Sequence, residues 1–162
     1  MEIFIPLLKD ALLAAIAAIG FGVISRIPRR AYVWCGLIAA IGHSLRYLLM
    51  QGPWCQMHIL GATAIAAFVI GTLAVFVSPR VKTPAEAYLF PSLLPMIPGI
   101  YAYKSFGAAV MCLFGDNQTS FDFYFYQFAE NGMICIAIVF AMVIGATIPI
   151  FTFKSTAFTA TR

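Results

Sequence analysis

Polar and apolar residues do not alternate along this chain; they fall into long apolar blocks separated by short polar punctuation. A run of roughly 20 apolar residues is what an α-helix needs to cross a hydrocarbon layer about 30 Å thick. The pattern predicts five such segments, at about 5–24, 31–50, 57–77, 85–114 and 132–153. The fourth is longer than one span requires and is interrupted by prolines near 95–99. The expected fold is an all-α integral membrane protein. Residues 1–162 form a single five-span membrane domain whose fourth helix is broken by a Pro/Gly motif.

Composition excludes the soluble alternative. Of 162 residues, 62% are hydrophobic and only 10% charged, and the mean hydropathy is +0.94. A soluble domain carries about a quarter charged residues, and a monomer this small cannot bury so much apolar surface in one core. The first ten residues hold Glu2, Lys9 and Asp10. A cleavable leader wants a basic start instead, so the first segment is expected to be retained.

The net charge of +4 comes from ten Lys and Arg spread among segment ends. That is a topology signal, not a nucleic-acid patch. With five spans, Arg26, Arg29, Arg30, Arg80, Lys82, Lys154 and Arg162 share one side. Glu2, the turn over 51–56, Asp116 and Asp122 fall on the other. The positive-inside rule then puts the N-terminus outside and the C-terminus in the cytoplasm.

Charges inside spans are costly and usually face a bundle interior or a watery cavity. The second segment carries Gly42-His43-Ser44-Leu45-Arg46. His43 and Arg46 share a helix face with the small residues Ala39 and Gly36, a stripe that lets another backbone approach. Arg46 either faces that cavity or snorkels to the headgroups. His43 lies a turn deeper, as a helix–helix contact, a proton relay or a substrate ligand. In the first segment, Asp10 either pairs with Lys9 as a snorkelling charge pair at the outer interface or takes part in proton coupling, for which His43 and Asp10 are the candidates. Ala14, Ala17 and Ala18 follow on nearby faces. Glu130 is expected at the outer lip of the last span.

The fourth segment reads Pro91-Ser92-Leu93-Leu94-Pro95-Met96-Ile97-Pro98-Gly99-Ile100-Tyr101-Ala102-Tyr103-Lys104. Three prolines and a glycine in nine residues cannot continue an α-helix, because each proline removes a donor. Freed backbone groups survive in a bilayer only where protein or water satisfies them. Broken helices near the midplane are a recurrent substrate-site device of secondary transporters. The substrate-binding candidates are therefore His43, Arg46, Pro95, Pro98, Gly99, Tyr101, Tyr103 and Lys104. The competing reading is a structural kink with Lys104 snorkelling outward.

Other features carry less. Cys35, Cys55, Cys112 and Cys135 form no C-x-x-C, and the single Cys55–His58 C-x-x-H is too small a set for a metal. Neither metal nor cofactor is expected. The aromatic run from Phe121 to Phe128 is expected in the outer loop, as an interfacial belt or a helix start, with substrate stacking as the alternative. Asn117-Gln118-Thr119 matches a glycosylation sequon that means nothing without a eukaryotic secretory route. No Ser-His-Asp set, H-E-x-x-H or phosphate-binding loop appears, so neither an enzyme nor ATP use is expected.

Gly42-His43-x-x-Arg46, taken with Pro95-Met96-Ile97-Pro98-Gly99-Ile100-x-Ala102-Tyr103, resembles the threonine/serine exporter family. Pro28, Trp34-Cys35 and Ile148-Pro149 add to the likeness, which covers essentially the whole chain. The resemblance is to short five-span members that correspond to the C-terminal membrane half of a full exporter. It implies the small subunit of a secondary transporter in the bacterial cytoplasmic membrane. Its partners would be a larger companion subunit, the lipid bilayer and a small anionic or zwitterionic substrate. Threonine or serine, or a succinate-like dicarboxylate, fits that description. An odd span count adds a physical argument, since two consecutive five-span units enter the membrane from opposite sides as inverted repeats. A hetero-oligomer, with room for a higher oligomer, is expected. The alternative is a non-transporting scaffold or regulatory subunit of another membrane protein.

Overall fold

The computed structural model describes residues 3–52, 56–114 and 118–153, and every regular element within them is helical. Glu2, Cys55, Asp116, Asn117, Lys154 and Arg162 lie outside the described residues. The helices are α1 (Phe4–Ile24), α2 (Tyr32–Gln51), α3 (Ile59–Val81), α4 (Ala85–Leu93), α5 (Gly99–Phe114) and α6 (Gln118–Thr152). A 3-10 turn at Arg29–Ala31 leads into α2, and another at Leu94–Met96 extends α4. Four of the long stretches are apolar enough to cross a membrane: α1, 29–51, α3 and α6. The pieces Ala85–Met96 and Gly99–Phe114 pass the same test only as a pair, giving five spans when that pair is counted as one.

The chain divides into two compact units. One comprises Met1–Met96 with Ala141–Arg162, the other Ile97–Phe140, and α6 runs from the second into the first.

In the first unit small residues set the spacing. Ala14, Ala18 and Gly22 are the buried positions of α1, and Cys35, Gly36, Ala39, Gly42 and His43 are among those of α2. A Cβ on Gly36 would come within 3.0 Å of Ile19, and one on Gly42 would collide with Ile70 of α3. The C-terminal part of α6 meets α3 in the same way. A Cβ on Gly71 would lie 2.6 Å from the Ala146 carbonyl, and one on Gly145 would overlap the Ala64 carbonyl. Between membrane helices, where no hydrophobic effect drives association, this backbone approach is what dispersion has to work with. Exposed leucines, isoleucines and phenylalanines cover its outside, including Leu12, Leu13, Ile16 and Phe76.

The α4 helix packs against α2 through polar contacts that its prolines make necessary. Pro91 sits inside α4, so the Ala87 carbonyl four residues back has no helical donor. The Cys35 thiol fills that place, with Sγ 3.9 Å from the Ala87 oxygen. One turn on, Ser92 Oγ donates to the Cys35 carbonyl at 3.1 Å. The α-helix of α4 ends at Leu93 and α5 begins at Gly99, with Pro95 and Pro98 between them. Pro91 is tolerated because a side chain on a neighbouring helix stands in for the lost donor.

The second unit is a hairpin of α5 and the N-terminal part of α6. Ser105 Oγ donates to the Phe128 carbonyl at 3.0 Å, and the Cys112 and Cys135 thiols reach the Phe121 and Pro98 carbonyls at 3.9 Å. In each pair the residue numbers add to the same value, so the helices run antiparallel in one fixed register. Gly132 lies beside Ser105, where a Cβ would be 3.1 Å from its hydroxyl.

The last helix begins earlier than its expected start near 132. The aromatic run Phe121–Phe128 belongs to α6, which starts at Gln118. No proline or glycine interrupts it, and Phe121 and Phe125, one turn apart, stack at 5.8 Å. At 35 residues, α6 is about 52 Å long at 1.5 Å per residue, well beyond a hydrocarbon thickness of about 30 Å.

Candidate functional site

The polar residues of the first unit converge between α1, α2 and the end of α4. The stripe Gly36–Ala39–His43 faces inward on α2, and Gly36 brings α2 so near α1 that Ile19 and the Ala15 carbonyl line its empty Cβ position. That approach sets His43 against Asp10 across the helix pair. Asp10 Oδ2 lies 3.3 Å from His43 Nδ1, which donates to it in the Nδ1–H tautomer or as imidazolium. The imidazole is 5% exposed, while the carboxylate is open to one side. Of the readings left open, Asp10 meets His43 rather than Lys9. His43 Nε2 makes no hydrogen bond among the described residues.

Arg46, one turn along α2, points to the break after α4. Its Nη1 donates to the Met96 carbonyl at 3.2 Å. The need for that contact follows from the sequence. Pro98 has no amide to offer back along the helix, and the Gly99 amide turns to the Ile97 carbonyl at 2.8 Å. The last carbonyls of the helical stretch are thus left without helical partners. A guanidinium there satisfies one of them and sits at the negative end of the helix dipole. The sequence offers Arg46 as a substrate-binding candidate or a snorkelling charge; the structure adds its contact with the Met96 carbonyl.

Beside this pair lies a cavity of ≈ 140 Å³ lined by Asp10, Arg46, Tyr47, Met50 and Gln51. It is small against the roughly 300–1,000 Å³ of drug-sized sites, and suits a molecule of a few heavy atoms. One wall is anionic, one cationic, and Tyr47 and Gln51 add a hydroxyl and an amide. Those two residues were not singled out from sequence. They follow His43 by four and eight residues along α2, and that helical spacing from His43 is the signal that finds them.

The remaining candidates fall elsewhere. Pro95 lies in the 3-10 turn beside His43 and Arg46. The Pro98 carbonyl receives the Tyr101 and Ala102 amides at 3.1 and 3.2 Å, starting α5. Gly99, Tyr101, Tyr103 and Lys104 all belong to the second unit, where Tyr103 and Lys104 are exposed. His58 caps α3, its Nδ1 accepting from the Leu60 amide at 3.4 Å.

Residues 10–152 match the family described as "Threonine/Serine exporter, ThrE", a stretch that begins at Asp10 and contains the whole site. The chain belongs to the threonine/serine exporter family. It is similar to an uncharacterized protein of Haemophilus influenzae, with 37% identity over 139 residues. The match covers 85% of this chain but 46% of the relative, so the chain spans about half the length of the curated relative it matches. No solved structure matches it. Family membership and the long apolar helices together make this a multi-pass membrane protein of an exporter family.

Proposed function

We propose that the chain is one half of a secondary exporter, crossing the bacterial cytoplasmic membrane five times with its N-terminus outside. A larger companion subunit would supply the other half. The five-span count takes α4 and α5 as one broken span. The half-length match to the Haemophilus influenzae relative supports a unit that needs a counterpart. The observation that carries the reading is the Asp10–Arg46 cavity, a space of ≈ 140 Å³ whose lining includes one acidic and one basic residue. That inventory complements a small zwitterion: Arg46 takes the α-carboxylate, Asp10 the α-ammonium, and Tyr47 or Gln51 a side-chain hydroxyl. A threonine- or serine-like amino acid is the substrate it fits best.

A second reading has its own support in the His43–Asp10 contact at 3.3 Å. With Asp10 protonated, the cavity presents only positive and neutral groups, and a succinate-like dicarboxylate enters instead. Both readings make His43 and Asp10 the proton-coupling pair, since a proton taken there changes the charge beside the substrate. The test is efflux of labelled threonine and labelled succinate from cells expressing the chain alone and with its companion. Threonine efflux that requires both chains, and disappears in Arg46→Gln, supports the first reading. Succinate efflux with the same dependence moves the substrate to the second. Unaltered efflux in Arg46→Gln removes the cavity from the transport path.

A further inference from the structure

Among the charges of the second unit's hairpin that no described residue pairs, two lie at one level. Lys104 is the lone charge of α5, and Glu130 is one of two acidic residues in α6. Both are exposed, and neither forms an ion pair among the described residues. Their levels are fixed by the Ser105–Phe128, Cys112–Phe121 and Cys135–Pro98 contacts. That register sets residue 129 opposite Lys104, so Glu130 lies within about 1.5 Å of the same height. Opposite charges therefore sit at one level of the hairpin without meeting each other.

Neither surrounding medium suits that surface. In hydrocarbon, an unpaired lysine is strongly disfavoured. In water, the charges are content, but Tyr103, next to Lys104 in α5 and 80% exposed, is not. A protein surface that returns both charges and covers the ring satisfies both demands.

We propose that this face binds a second copy of the chain, with Lys104 of each copy paired to Glu130 of the other. A two-fold axis along the membrane normal keeps every residue at its own height. The second copy then delivers a carboxylate at the level of Lys104 and an ammonium at the level of Glu130, with no further requirement on its sequence. The contact is isologous, and closing one ion pair closes the other. Gly107, one turn from Lys104, has open space where a Cβ would stand, leaving room for a close helix. The proposal rests on the hairpin alone and is independent of the exporter reading.

The experiment mixes two differently tagged copies in the same membrane and treats them with a carbodiimide, which joins an amine to a carboxylate it already touches. The expected product links Lys104 of one tag to Glu130 of the other. K104E and E130K each lower the two-copy fraction about tenfold, as loss of a desolvated ion pair does, and the double exchange K104E/E130K restores it. Restoration by the exchange separates lost pairing from lost folding. The proposal is overturned by single copies of the wild-type chain in the membrane, by a Lys104 link only to a companion subunit, or by a double exchange no better than its parents.

Discussion

The two units treat polar groups inside apolar helices in opposite ways. In the first, Asp10 answers His43, Arg46 answers the Met96 carbonyl, and Cys35 and Ser92 repair the backbone around Pro91. In the second, backbone carbonyls are met by Ser105, Cys112 and Cys135, yet Lys104 and Glu130 are left facing out. Charges that a membrane helix satisfies within its own unit mark a site assembled by that unit. Charges it leaves open mark a surface that something else completes. The cavity belongs to the first kind and the hairpin face to the second.

The contrast can be broken most severely at Arg46. Arg46→Leu removes the substrate's carboxylate partner and uncaps the broken end of α4 together. Efflux is expected to fall at least about 30-fold, on the roughly 2–5 kcal/mol scale of a buried hydrogen-bonded charge pair losing one member. Labelled efflux normalised to membrane-inserted protein measures this, and wild-type flux would place Arg46 outside the site. Asp10→Asn is a sharper cut with a smaller total effect. Threonine efflux should drop about tenfold while succinate is gained, because a neutral amide no longer repels the second carboxylate. An equal loss of both substrates would deny Asp10 its selective role.

Packing predictions come next. Gly145→Val inserts a side chain against the Ala64 carbonyl, so overpacking of about 1–3 kcal/mol is expected, read as a lower midpoint of thermal unfolding in detergent. Gly107→Val, where a Cβ meets open space within the chain, should leave that midpoint unchanged and reduce the two-copy fraction alone. The smallest effect is assigned to Cys35→Ala. It takes a weak thiol donor from the Ala87 carbonyl and should shift stability by about 1 kcal/mol or less.

Much of this architecture was legible because lipid imposes a simple length rule. The ends of α1, α2 and α3 follow apolar block lengths to within a few residues, and Gly36, Ala39 and His43 share one buried face as their spacing requires. The N-terminal extension of α6 was not legible from hydropathy, because Phe121–Phe128 interleaves rings with Asp122 and Gln127 and reads as an interface. Helical ring stacking, not apolarity, carries that stretch. In the site, His43 and Arg46 stood out because ionisable groups are rare in spans. Asp10 was ambiguous, because its neighbour in sequence is Lys9 while its neighbour in space is His43. The Met96 carbonyl is a backbone group, and it becomes a partner because the Gly99 amide turns to the Ile97 carbonyl instead.

The central claim is that one carboxylate and one guanidinium across a small cavity select a zwitterion. The most direct test is binding of labelled threonine, with succinate as competitor, to the purified chain in complex with its companion, wild type beside Asp10→Asn. The account predicts saturable threonine binding to the wild type that succinate displaces poorly, and weak threonine binding with strong succinate competition in the variant. Threonine binding indifferent to Asp10→Asn, or succinate competing equally well in both, would contradict it.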